Sequence, residues 1–99
     1  MSCKVRYTAA ARDDLKRLFT FLAEKDPRAA LAARQAIAES IRLLQLFPFT
    51  CRKVLDDNPL LREMVISFGS SGYVALFEIE NQETVTVLAV RHQREEDYL

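Results

Sequence analysis

Histidine is the one side chain that titrates near neutrality unaided, and this chain has a single histidine, His92, set between Arg91 and Arg94 and followed by Tyr98. An imidazole, guanidinium groups and a phenol together form a set able to cleave a phosphodiester. A base takes the 2′-hydroxyl proton, an acid protonates the leaving oxygen, and cations stabilise the charge gathering on phosphorus. His92, Arg62, Arg91 and Tyr98 are the residues that would make up such a catalytic set, with Arg52 and Lys53 just upstream of Arg62. The plainer reading carries more weight. A histidine ending a strand usually serves as a hydrogen-bonded cap or partner contact, and Arg52 and Lys53 beside Asp56 and Asp57 read as a solvated mixture of charges. Glu95, Glu96 and Asp97 place three negative charges beside the would-be site, where they repel RNA. Cys3 and Cys51 are isolated thiols without disulfide-scaffold or metal-ligand spacing, so no metal site and no cofactor are expected.

The elements that must position these residues belong to one domain spanning residues 1–99. The chain is 49% hydrophobic with only two glycines and three prolines, enough apolar material for one core and too little punctuation for a linker or repeat. Fourteen basic residues balance fourteen acidic ones. A net charge of zero removes the broad positive field on which unaided nucleic-acid binding depends. Ten of the basic residues are arginines, whose planar fork suits carboxylates and points to an acidic protein partner. The sequence shows neither a secretory h-region nor an apolar run of membrane-spanning length, so a cytoplasmic protein with no membrane association is expected.

Val5 to Tyr7 reads as a short strand before Thr8, a good helix N-cap, with Asp13 and Asp14 near the favourable end of the helix dipole. Leu15, Leu18, Phe19 and Leu22 then mark one face of an amphipathic helix. Asp26-Pro27 stops that helix and starts another, whose stripe is Ala30, Ala33, Ile37, Ile41 and Leu44 and whose end is set by Pro48. The two should form an antiparallel hairpin, with the alanine-rich first half of the second helix allowing close approach. Phe49 to Leu60 lacks periodicity and reads as a loop. Leu61–Phe68, Tyr73–Glu80 and Thr84–Arg91 read as three strands of an antiparallel meander. The expected fold class is therefore α+β, with the helical hairpin on one sheet face. Because the last strand is apolar on both sides near its end, some open-face surface needs a cover, either a partner or the C-terminal tail.

Tyr7-Thr8-x-x-Ala11, Asp14-Leu15, Asp26-Pro27-x-Ala-Ala, Leu46-Phe47-Pro48, Ser71-Gly72-Tyr73 and the closing Val90-Arg91-His92-x-Arg94-x-x-x-Tyr98 occur in this order along the chain. In that order and spacing the sequence resembles the RelE/ParE toxin superfamily over essentially its whole length, and the closing segment resembles the ParE, or plasmid stabilisation, branch. The resemblance implies the same α+β fold and two rival activities. RelE-like members cleave messenger RNA on the ribosome, with lysines on the strand matching Leu61–Phe68 and an arginine directly after the Ser-Gly-Tyr turn. Here Val65 and Ser67 stand in the lysine positions and Val74 in that of the arginine.

ParE-like members instead inhibit DNA gyrase by binding it, and a ParD-like antitoxin holds them inactive. The resemblance to that branch implies a toxin that is not an enzyme, with Arg62, Arg91, His92, Arg94 and Tyr98 as partner-binding residues. An RNA-cleaving toxin built on His92, Arg62, Arg91 and Tyr98 is the alternative. A family member that binds an antitoxin without being toxic is a third reading.

Overall fold

The computed structural model describes residues 3–68 and 71–92 of the chain. The elements are β1 (Lys4–Tyr7), α1 (Ala9–Lys25), α2 (Pro27–Leu46), a 3-10 turn (Pro48–Thr50), β2 (Arg52–Leu55), β3 (Asn58–Phe68), β4 (Ser71–Ile79) and β5 (Thr84–His92). This is the expected α+β class, with its strand, its two helices and its mostly antiparallel sheet. The expected loop from Phe49 to Leu60 is corrected. It holds a further edge strand, so the meander has four strands and the sheet five, in the order β1-β5-β4-β3-β2.

Two residues organise the helical hairpin, each working twice. The Thr8 hydroxyl accepts the Ala11 N–H at 3.1 Å, capping α1, and donates to the Leu88 carbonyl of β5 at 3.2 Å. Asp26 closes α1 through its own N–H to the Leu22 carbonyl at 2.7 Å and opens α2 by accepting the Arg28 N–H on its side chain at 3.0 Å. A single residue therefore suffices to connect the helices, because Pro27 follows at a position where a missing N–H costs no helical bond.

β1 runs parallel to β5, from Lys4 opposite Thr84 to Tyr7 opposite Val87, so two strands far apart in sequence share one seam. β4 pairs antiparallel with β3 and β5, with a register shift at Leu88 that lies beside the Thr8 contact. The helices cover one face of this sheet. Ala11, Leu18, Ala33, Ile37 and Leu44 are buried there against Met64, Ile66, Tyr73, Phe77, Val85, Val87 and Val90. Ala11 and Ala33 have no exposed surface, consistent with the close approach anticipated from small residues. Val74 is also buried but stands apart from this core, on the sheet face opposite the helices.

Candidate functional site

The register fixes which side chains share a face, because directly paired residues point the same way and neighbours along a strand alternate. Val65 pairs with Val74, and Val74 with Arg91, forming one row across the open face. The next row is Arg52, Glu63, Leu76 and Ala89. Between these rows lies a groove of about 360 Å³ lined by Val54, Glu63, Val74, Leu76, Ala89 and Arg91. Glu63 is held by an ion pair with Arg52, so the groove has apolar walls, one neutralised carboxylate and one guanidinium.

Asp14 anchors that guanidinium. β1 pairs with β5 only as far as Val87, and beyond it α1 supplies partners for the exposed edge. The Thr8 N–H reaches the Val87 carbonyl at 3.0 Å, the Thr8 hydroxyl reaches Leu88, and Asp14 Oδ2 accepts the Val90 N–H at 3.0 Å. Asp14 Oδ1 accepts a 2.7 Å hydrogen bond from Arg17 and lies 3.5 Å from Arg91 Nη1. Asp14 is 6% exposed, the one buried charged residue among those described. Its expected place beside the positive end of the helix dipole is corrected, because neither Asp13 nor Asp14 lies in the first turn of α1. A sequence signal for its actual place existed: Ala11, Asp14 and Leu18 follow i, i+3, i+7 spacing, so the carboxylate interrupts an apolar stripe.

Of the RNA-cleaving set, Arg62, Arg91 and His92 are among the described residues, and these three are not brought together. Arg62 lies on the helix face of β3, and its guanidinium is spent on backbone carbonyls: Nε donates to Pro59 at 2.7 Å, Nη1 to Cys51 at 2.7 Å and to Phe49 at 3.0 Å. It also lies over the Phe49 ring, 5.4 Å from the centroid, clamping the 3-10 turn and β2 to β3. His92 pairs with Tyr73, which pairs with Ile66, so it sits on the helix face about 13 Å along the sheet from the Arg62 row. Its ring meets Tyr73 edge-on at 5.6 Å, and Tyr73 stacks on Phe68 at 5.9 Å. Arg91, though next to His92 in sequence, is on the opposite face. Arg94 and Tyr98 lie outside the described residues.

The Cys51 thiol is half-buried, and burial raises its pKa above 9.0 despite the lowering influence of Arg62, which makes it a poor nucleophile at neutral pH. Cys3 is buried and points its sulfur at the Gln82 carbonyl. Among the described residues no helix is long and apolar enough to cross a membrane.

A model of the family described as the ParE toxin of the type II toxin–antitoxin system, parDE, matches residues 5–97. The chain belongs to the ParE toxin family. Toxin RelE1 of Caulobacter vibrioides is 33% identical to this ParE-family chain over 79 residues, which is 80% of the chain and 82% of the relative. Among solved structures, the chromosomal ParDE system from P. aeruginosa contains a chain that superposes with a TM-score of 0.69 at 20% identity, covering 92% of this chain and 96% of that one. The RelBE2 toxin–antitoxin complex from Mycobacterium tuberculosis gives a TM-score of 0.63 at 23% identity, covering 94% and 100%. At these identities the two structures speak to the fold, and family membership rests on the match across residues 5–97.

Proposed function

We propose that this ParE-family toxin acts by occupying another protein, with DNA gyrase as its target, and that a ParD-like antitoxin neutralises it in the cytoplasm. The observation that carries this reading is the row Val65, Val74 and Arg91. In RelE-like nucleases, which the chain resembles, the positions of Val65 and Val74 carry cations. Here those positions hold valines, Val65 exposed and Val74 buried, and the remaining cation of the row, Arg91, faces Asp14. Stabilising a pentavalent phosphorane dianion needs convergent positive charge, and apolar surface with a single guanidinium suits a protein partner better. An antitoxin partner is further supported by the two structural neighbours, both from toxin–antitoxin systems.

Purified toxin added to gyrase with relaxed plasmid tests the target. Loss of supercoiling together with accumulation of cleaved DNA complex is expected. Unchanged supercoiling at toxin excess rejects gyrase.

The name of the Caulobacter relative favours a second reading, a ribosome-dependent ribonuclease. It requires cleaved transcripts after induction and their rescue by His92→Ala. Intact transcripts together with growth arrest remove it, and folded, soluble protein without growth arrest points to a non-toxic antitoxin-binding member.

A further inference from the structure

Among the described residues, the charges around Asp14 do not balance. Two guanidiniums, Arg17 and Arg91, face one carboxylate. That carboxylate is already committed through Oδ2 to the Val90 N–H and through Oδ1 to Arg17 at hydrogen-bond distance. Among the described residues Arg91 is left with a 3.5 Å charge contact, too long for a strong hydrogen bond, and its Nε–H is buried with no acceptor. A buried donor without a partner is a standing cost that an incoming acceptor relieves. Since Arg91 is held by charge and not tied by a strong hydrogen bond, its fork can turn toward the groove while staying beside Asp14.

The groove's other charge, Glu63, is cancelled by Arg52, and the rest of its lining is apolar. From β2 to β5 it spans three strand spacings, about 14 Å, or about four extended residues.

From this imbalance we infer that the open-face groove binds an extended apolar peptide segment of a protein partner carrying one carboxylate, and that Arg91, positioned by Asp14, takes that carboxylate. The inference rests on the reading that the open face is a partner surface, and it adds where the partner binds and what chemistry it must bring. A polyanionic RNA strand fits poorly, because a single cation among valine, leucine and alanine leaves most of its phosphates unpaired and desolvated.

The test titrates the full-length toxin with the blocked peptide acetyl-Val-Leu-Glu-Leu-Val-amide and with its Gln counterpart, following arginine Nε–H signals by 15N-correlated NMR. The Arg91 signal is assigned by its loss in Arg91→Lys. The glutamate peptide is expected to move that signal and to bind about tenfold more tightly than the glutamine peptide. Ala89→Phe, which fills the groove, and Val54→Glu, an exposed change that sets a repelling carboxylate on its wall, should each weaken binding at least about tenfold. Equal affinity for the two peptides overturns the inference. So does an Arg91 signal that stays still, binding that survives in either folded variant, or a uridine hexaribonucleotide that moves the signal at lower concentration than the glutamate peptide. The gyrase assay is independent. A toxin that binds the glutamate peptide and spares gyrase keeps the groove and loses the target, whereas a gyrase inhibitor blind to the peptide does the reverse.

Discussion

Asp14 shows how one side chain can finish a sheet edge that a strand leaves open. Replacing it by alanine strands the Val90 N–H in a buried position and leaves two arginines facing each other without their shared anion. Asp14→Ala is expected to cost about 2–4 kcal/mol of folding stability in urea denaturation. Asp14→Asn, which retains an oxygen for Val90, should cost less than half of that. If the two variants are equally unstable, the hydrogen bond to β5 is not what the carboxylate provides. Arg62 carries the complementary lesson. Its type and place suggested a binding residue, yet three carbonyl contacts and a phenyl ring occupy its guanidinium on the helix face. Its strand is legible from the sequence pattern. Only the register showed that it and Arg91 point to opposite sides.

Among the elements, α1 and β5 are joined most closely at Thr8, whose hydroxyl both caps the helix and binds the carbonyl at the β5 register shift. Thr8→Val keeps the shape and deletes both bonds, so a loss of about 1–2 kcal/mol is expected, with faster amide exchange at Ala11 and along β5 near Leu88. Protection unchanged at Leu88 would separate the two roles.

The helices and the three later strands were legible because each bears a strong period and clear punctuation: Thr8, Asp26-Pro27 and Pro48 for the helices, and turn-forming residues between the strands. β2 was not legible. Its four residues, Arg-Lys-Val-Leu, are all exposed and show no alternation, because an edge strand away from the helices has no buried face to pattern. Asp56-Asp57, inside the stretch that reads as a loop, is the tip of a hairpin in which Leu55 faces Asn58. Pro59 lies in β3 where β4 pairing has not yet begun, so its missing N–H interrupts no bond on that side.

At the scale of the whole molecule, two phenols report on the integrity of the core. Burial raises the pKa of Tyr7 and of Tyr73 above 10.0, so the native state holds these protons more tightly than the unfolded chain does. Their contribution to stability is complete below pH 10.0, where both states are protonated, and it is lost as pH rises through the raised folded values. Denaturation midpoints measured from pH 8 to pH 12 should therefore fall on the alkaline side, about in step with phenolate absorbance, and Tyr73→Phe should flatten part of that fall. A midpoint that drops equally steeply in the variant would place the alkaline sensitivity elsewhere.

The parallel seam of β1 and β5 also sets a schedule for biosynthesis. β1 leaves the ribosome well before β5, the strand it pairs with, so this side of the sheet closes only after β5 has emerged. The Asp14–Arg91 anchor likewise joins residues far apart in sequence, and it forms only once β5 has been translated. Synthesis thus includes an interval in which the open-face row that ends in Arg91 does not yet exist.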